Sequence, residues 1–268
     1  VVMETYTDIT NNEYSVEELL DMVSDWQDPH PLPIIKEYDG FNVVRDDLLD
    51  YGSKIRFLDC LIRDLPHKEI VFGSSPANGY AQISVPYVCN KYDKKFVVFM
   101  AKRNMENLHP YQKRGMDLGG IYNWVNMGML SVTQSRARKY YEEKPDERFL
   151  LPIGLEHPKV IGSIIKVCRK LDESSFSDIW VVGSSGTISR GLQLAFPNKN
   201  VNVVSVGHKL NEREIGRAKI YTTDYKFDKE VRPEDEPPFP SAPTYDAKGW
   251  AVMRKYGKDN SLFWNVGY

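Results

Sequence analysis

Two stretches of this sequence share a pattern that leaves few folds open to it. In the first, an apolar run at Glu69 to Phe72 leads into a loop, Gly73 to Gly79, then a helical stretch from Tyr80 to Lys91 and a second apolar run at Phe96 to Met100. In the second, Asp178 to Val182 leads into a Gly/Ser/Thr loop from Gly183, a helix start reaching Leu192, and a further apolar run at Val201 to Val206. Runs that are apolar throughout, rather than alternating, suit strands buried on both faces, and their order with the helices suits a parallel sheet. The chain is therefore expected to be α/β, with ligands taken at the carboxyl ends of the strands, where both loops lie.

Composition narrows the class further. At 268 residues, 41% of them apolar and 27% charged, the chain is long enough for one large or two small domains with a proper core. A net charge of −2 gives no global reason to expect a nucleic-acid or membrane-surface protein. Cys60, Cys89 and Cys168 fall within apolar helical patterns and form no C-x-x-C pair, which suits buried thiols in a reducing compartment and no zinc site. No apolar run approaches the roughly 18 residues of a membrane span, and the acidic beginning does not read as a signal peptide. A cytoplasmic protein is expected, in the host cytoplasm if the source is viral.

The remaining segments read less uniformly. Val16, Leu19, Leu20, Val23 and Trp26 have helical spacing behind Ser15, an N-cap candidate with Glu18 three residues on, so residues 13–27 are expected to be an outer helix. Ile34 to Val44 alternates around an Asp39-Gly40 turn. Residues 111–147 read as helical, Lys159 to Leu171 as a helix, and residues 231–243 as an ordered, Pro-rich surface connection. A last helix runs to Lys255, followed by an apolar strand from Leu262.

Two features carry chemistry. Lys54 follows a Gly52-Ser53 turn at the start of an amphipathic helix, with Arg56 beside it. A lysine whose charge is disfavoured by burial and by a neighbouring cation can lose its proton and add to an aldehyde as a Schiff base. The second feature is the loop Ser184, Ser185, Gly186, Thr187 and Ile188 between strand and helix. Glycine lets the backbone approach a phosphate, hydroxyls add donors and the helix N-terminus adds positive potential, although no Walker lysine is present.

Taken in order, the whole chain resembles a shortened member of the fold-type II pyridoxal-phosphate enzymes, nearest the 1-aminocyclopropane-1-carboxylate (ACC) deaminase and D-cysteine desulfhydrase family. The resemblance rests on Arg45-Asp46-Asp47-Leu48 with Gly52-Ser53-Lys54-Ile55-Arg56, on Gly73 to Asn78, on Gly183 to Ile188, on Pro243-Thr244-Tyr245-Asp246-Ala247-Lys248, and on the closing Leu262 to Gly267. It implies a tryptophan synthase beta-like fold with two open twisted sheets flanked by helices. Residues 1–60 and 160–268 would form the larger, cofactor-binding domain and 61–159 the smaller one. It further implies pyridoxal 5′-phosphate as cofactor, no metal, and bond cleavage at Cα of an amino acid through an external aldimine and a quinonoid. Lys54 would hold the cofactor and shuttle the Cα proton, Asn78 would bond its phenolic oxygen, and Ser184, Ser185, Gly186, Thr187 and Ile188 would bind its phosphate. Tyr245 would face the ring or substrate, and Asp246 the pyridine nitrogen. An acidic residue there favours deamination, decarboxylation or racemisation over simple elimination.

Departures from the family bear on the substrate. Ala77-Asn78-Gly79 stands where the deaminases have Ser-Asn-Gln, so a hydroxyl that would bind the substrate carboxylate is replaced, with Ser74 or Ser75 as substitutes. Ser53 stands for the usual asparagine, weakening a phosphate contact, and the Pro-rich 231–243 segment suggests an open rim. Three functions remain open. The first is a deaminase or lyase on a small free amino acid. The second is a decarboxylase or lyase on an amino acid attached to a larger molecule, such as a hypermodified thymine in phage DNA, with Lys91, Lys94, Lys95, Lys102, Arg103, Lys113, Arg114, Arg136, Arg138 and Lys139 as the DNA face. The third is a non-catalytic cofactor-binding protein. A homodimer is expected in each case.

Overall fold

The computed structural model describes residues 4–74 and 76–268. Its strands are Thr5–Thr7 (β1), Glu13–Ser15 (β2), Ile35–Tyr38 (β3), Phe41–Arg45 (β4), Glu69–Gly73 (β5), Lys95–Ala101 (β6), Ile121–Val125 (β7), Arg148–Leu150 (β8), Ile179–Gly183 (β9), Val201–Ser205 (β10), Lys219–Thr222 (β11) and Leu262–Asn265 (β12). Its α-helices are Val16–Met22 (α1), Lys54–Asp64 (α2), Ala81–Lys91 (α3), Pro110–Asp117 (α4), Leu130–Glu143 (α5), Pro158–Cys168 (α6), Thr187–Ala195 (α7), Glu212–Ile215 (α8) and Asp246–Tyr256 (α9). The chain forms two compact units, Val1–Phe57 with His157–Tyr268, and Leu58–Glu156.

The first unit is built on a six-stranded sheet in the order β11-β10-β9-β12-β4-β3, parallel except for the β3/β4 hairpin. Asp39 and Gly40 both have positive φ, the geometry of a tight hairpin turn whose twist matches its strands. The C-terminal strand β12 is central, with Leu262 opposite both Ile179 and Asn42. That insertion decides where chemistry can occur, because it sets the carboxyl ends of β9, β12 and β4 side by side. Trp180 and Val182 of β9 pack with Phe263 of β12, Trp250 of α9 and Phe239, all nearly inaccessible to solvent, while α6 and α7 pack together as a separate helical layer. Phe239 belongs to the Pro-rich connection, whose ends are tied by Val231 N to Pro243 O (3.1 Å) and Ala242 N to Gly267 O (3.1 Å).

The second unit carries a four-stranded, wholly parallel sheet in the order β7-β6-β5-β8. α5 packs on β5, β6 and β8, whereas α3 packs on β6 and on α4. The two βαβ units are thus present where the apolar runs placed them, and the architecture of two sheets flanked by helices is the expected one.

Several local expectations need correction. Residues 111–147 are not helical throughout, since β7 lies between α4 and α5. β7 is an edge strand whose first four residues stay partly solvated, with Asn123 interrupting its apolar residues, and its pairing with β6 defines it. The outer helix is shorter than the 13–27 spacing suggests: β2 takes Glu13–Ser15 and the helix stops at Met22, leaving Val23 and Trp26 buried in the following turns. Its start is as expected, with Ser15 and Glu18 forming a reciprocal capping box. α6 likewise ends at Cys168 rather than Leu171. All three cysteines are free and buried.

Candidate functional site

Lys54 stands at the first turn of α2, and the turn before it is fixed from several directions. Gly52 has φ +76°, which a side chain would resist, and Ser53 N donates to Val266 O at the end of β12 (2.9 Å). The Ser53 hydroxyl is fully buried, donating to Asp46 Oδ2 (2.7 Å) and accepting from Trp264 Nε1 (2.9 Å). Arg56, one turn of chain farther, grips Asp46 with Nε (3.0 Å) and Nη2 (2.9 Å), and gives Nη1 to Asp28 (2.7 Å) and to Pro31 O. Its charge is therefore committed to two carboxylates. Burial lowers the Lys54 pKa, while the carboxylate of Asp246 opposes the fall. The expected contribution of Arg56 is thus corrected: desolvation favours the neutral, nucleophilic amine, and Arg56 instead anchors the turn.

Asp246 opens α9 and is buried. Its Oδ2 accepts from Val266 N (3.0 Å) and Gly267 N (3.3 Å), just beyond β12. Its Oδ1 is buried and has no hydrogen-bond partner among the described residues. Burial raises the pKa to about 7, against the lowering effects of Gly267 N, Val266 N and Lys54 and with an added raising effect from Asp47. A buried oxygen left without a donor costs on the order of 1–3 kcal/mol, more if charged, so this geometry suits a ligand donor. Tyr245, the preceding residue, directs its hydroxyl to Ser184 Oγ (3.4 Å), and burial raises its pKa to about 12.

That contact joins α9 to the loop leaving β9. Ser185 Oγ and Thr187 Oγ1 lie 3.2 Å apart, and Gly186 caps α7 with φ +76°. A Cβ on Gly186 would come within 2.4 Å of the Glu214 carbonyl oxygen, so backbone conformation and packing both demand glycine. The first turn of α7 carries no acidic residue. Its N–H groups and dipole are arranged to receive an anion such as a phosphate. Gly186→Ala should destabilise the protein by about 2 kcal/mol or more, from left-handed backbone strain and the Glu214 clash together. Denaturant unfolding checks this; an unchanged midpoint contradicts the reading.

The Gly73–Gly79 loop belongs to the second unit. Ser74 is buried and continues the sheet through Ser74 N to Phe99 O (2.9 Å), and Gly79 N closes on Pro76 O (3.2 Å). Ala77, Asn78 and Gly79 are half-buried, while Ser75 lies outside the described residues. Gln82 organises this loop: its amide donates to Ala77 O (2.7 Å) and Gly79 O (2.8 Å), and its carbonyl accepts from Tyr122 (2.7 Å). Sequence reasoning passed over Gln82 and Tyr122. The available signal was a glutamine in the first turn of a helix whose buried positions are mostly apolar.

Four of the cations assigned to a DNA face have structural partners. Arg103 donates to Asn107 O (3.1 and 2.9 Å), and Arg114 stands 5.8 Å from the Tyr111 ring centroid. Lys91 pairs with Asp59 (2.8 Å), and Lys94 donates to Leu65 O and His67 O (both 2.6 Å). Among the described residues, no group of His, Cys, Asp and Glu is placed to hold a metal, and no helix is long and apolar enough to cross a membrane.

No protein-family model matches the sequence, and no curated protein does. Solved structures match throughout its length. An ACC deaminase homologue superposes with a TM-score of 0.78 at 14% identity, over 93% of this chain and 94% of that one. The processed form of threonine deaminase isoform 2 from Solanum lycopersicum gives 0.70 at 13% identity, over 100% and 87%. A pyridoxal 5′-phosphate-dependent aspartate racemase gives 0.63 at 10% identity, over 94% of each. The chain has the fold of these proteins, the fold-type II architecture.

Proposed function

We propose that this chain is a pyridoxal-phosphate-dependent enzyme that cleaves a bond at Cα of an amino-acid substrate. The observation that carries the proposal is Asp246: one buried oxygen is held by two N–H groups, the other lacks a donor, and the carboxylate acts on the amine of Lys54. The cofactor's ring nitrogen would supply the donor that Oδ1 lacks, and the glycine-capped start of α7 suits its phosphate. The shared fold supports this reading, since proteins carrying it include one named as a deaminase, one named as a deaminase homologue and a racemase named as pyridoxal-phosphate-dependent.

Bound there, the cofactor would supply an electron sink for negative charge developing at Cα. Lys54, whose amine pKa is lowered by burial, would hold the cofactor and take or return the proton at Cα. Ser184, Ser185, Gly186, Thr187 and Ile188 would hold the phosphate through N–H groups and hydroxyls. Asp246 would keep a proton at the ring nitrogen, and Tyr245, fixed by Ser184, would bound the ring or substrate. On the resemblance alone, Asn78 would contact the phenolic oxygen, with Ser74, Ser75, Ala77 and Gly79 as substrate contacts.

A second reading gives the same machinery an amino acid carried on a larger, anionic molecule, with a decarboxylase or lyase outcome. Lys102, Arg103, Lys113, Arg136, Arg138 and Lys139 are exposed and make no ion pair among the described residues, in a chain whose net charge is −2. Exposed cations attract polyanions, here set against exposed Asp93, Glu106, Asp117, Glu142, Asp146 and Glu147 of the same unit. Incubating the cofactor-loaded protein with free amino acids and with amino-acid-modified DNA, and assaying ammonia, keto acid and CO2, separates the readings. Product from free amino acids alone supports a deaminase or lyase, and product from modified DNA alone supports the second reading. No product from either contradicts both.

A further inference from the structure

A second buried carboxylate is held by the same short segment that holds Asp246. Asn265, the last residue of β12 and fully buried, donates Nδ2 to Asp47 Oδ1 (2.8 Å) and to Pro240 O (2.8 Å), and accepts from Ser241 Oγ (2.8 Å). The next two residues, Val266 and Gly267, give their N–H groups to Asp246. Asp47 is also gripped by Arg45, with Nε to Oδ1 and Nη2 to Oδ2 both at 2.8 Å, and its side chain is only 1% exposed. Arg45 in turn donates to Tyr38 (2.6 Å) and lies 5.9 Å from the Phe239 ring centroid. Two-point contact with arginine is among the strongest hydrogen-bonded arrangements open to a carboxylate.

An ion pair serving only stability has no need to stand beside another buried carboxylate, where it disfavours a second negative charge. We propose that Asp47 is a positioning residue for the Asp246 carboxylate: fixed by Asn265 and Arg45, it sets a second carboxylate against the segment that holds Asp246 and opposes its ionisation. The charged and titratable groups facing Asp246 are Lys54, which favours its ionised form, Asp47, which disfavours it, and Tyr245 beside it. Burial is the largest influence on Asp246, and Asp47 works in the same direction. The consequence is a carboxyl group that exchanges its proton near neutral pH. The identity of the ligand that shares that proton rests on the proposed function; the arrangement of the two carboxylates does not.

The test uses the protein without cofactor, labelled with 13Cγ-aspartate, with the Asp246 resonance identified by its loss in Asp246→Asn. Its titration midpoint is followed in wild type and variants by carbon NMR. Asp47→Asn removes a negative charge and leaves Arg45 in place, so the midpoint should fall by about one unit, a tenfold loss of proton affinity. Asp47→Glu should restore it. Arg45→Gln leaves Asp47 uncompensated and should raise it, which decides the matter even where Asp47→Asn does not fold. Midpoints that stay fixed, or that move the same way in Asp47→Asn and Arg45→Gln, overturn the proposal. Failure to bind pyridoxal 5′-phosphate would sink the proposed function and leave these midpoints unaffected.

Discussion

Lys54→Ala should abolish turnover, with a loss on the order of 10³-fold or more, equivalent to about 4 kcal/mol of transition-state stabilisation. In the proposed function two roles would vanish with one amine: the covalent hold on the cofactor and the group that moves the proton at Cα. The fold should survive, because the turn is fixed by Ser53, Asp46, Arg56 and Trp264 through bonds that do not involve the Lys54 side chain. Truncation also removes an amine whose charged form burial disfavours. The visible absorption of the loaded protein should shift to that of non-covalently bound cofactor, with thermal unfolding within a few degrees of wild type. The assay belongs at saturating pyridoxal 5′-phosphate, so that weaker binding does not imitate a catalytic loss. Turnover within a few-fold of wild type would remove Lys54 from the chemistry.

Asp246→Asn should retain the cofactor and its covalent link while lowering turnover on the order of 10², roughly 3 kcal/mol. Asparagine keeps the shape of the carboxylate and can accept from Val266 and Gly267, but it has no charge to hold a proton on a ring nitrogen while negative charge develops at Cα. Unchanged turnover would return simple elimination of a β-substituent to the front. The same variant makes a prediction about stability without cofactor. Asp246 is raised to about 7 in the fold, so the folded protein binds a proton there that the unfolded chain has released. Its contribution to stability is therefore present below the usual carboxylate range and is lost as pH rises from about 4 to about 7. Asp246→Asn should flatten that part of the stability profile, by roughly 1–4 kcal/mol across the window, as measured by urea unfolding of the apoprotein. A wild-type profile as flat as the variant's would mean that Asp246 is ionised in the fold.

What could be read from the sequence follows from where each signal resides. β5, β6, β9 and β10 are apolar throughout because they are buried on both faces, and they are legible for that reason. β7, β8 and β11 lie at sheet edges, and the β1/β2 hairpin lies outside both large sheets; all are short or partly solvated, and tertiary pairing rather than composition defines them. The turn before Lys54 and the loop around Gly186 are local in sequence, so glycine and hydroxyl spacing reveal them. That the two lie at neighbouring strand ends was not legible locally, because it depends on β12 entering between β9 and β4. The same holds for the polar residues that fix the site. Arg56 reads as a cation near Lys54, yet its partners Asp28 and Asp46 lie 28 and 10 residues away. Asn265 reads as the end of an apolar strand, yet it holds Asp47, 218 residues distant.

In the proposed function one lysine, at the start of α2, carries the cofactor. The direct measurement is to load the protein with pyridoxal 5′-phosphate, reduce it with borohydride, digest it and locate the modified peptide by mass spectrometry. One phosphopyridoxyl group per chain is expected, on Lys54, and none in Lys54→Ala. Label on a different lysine, or no label at all, would contradict that assignment.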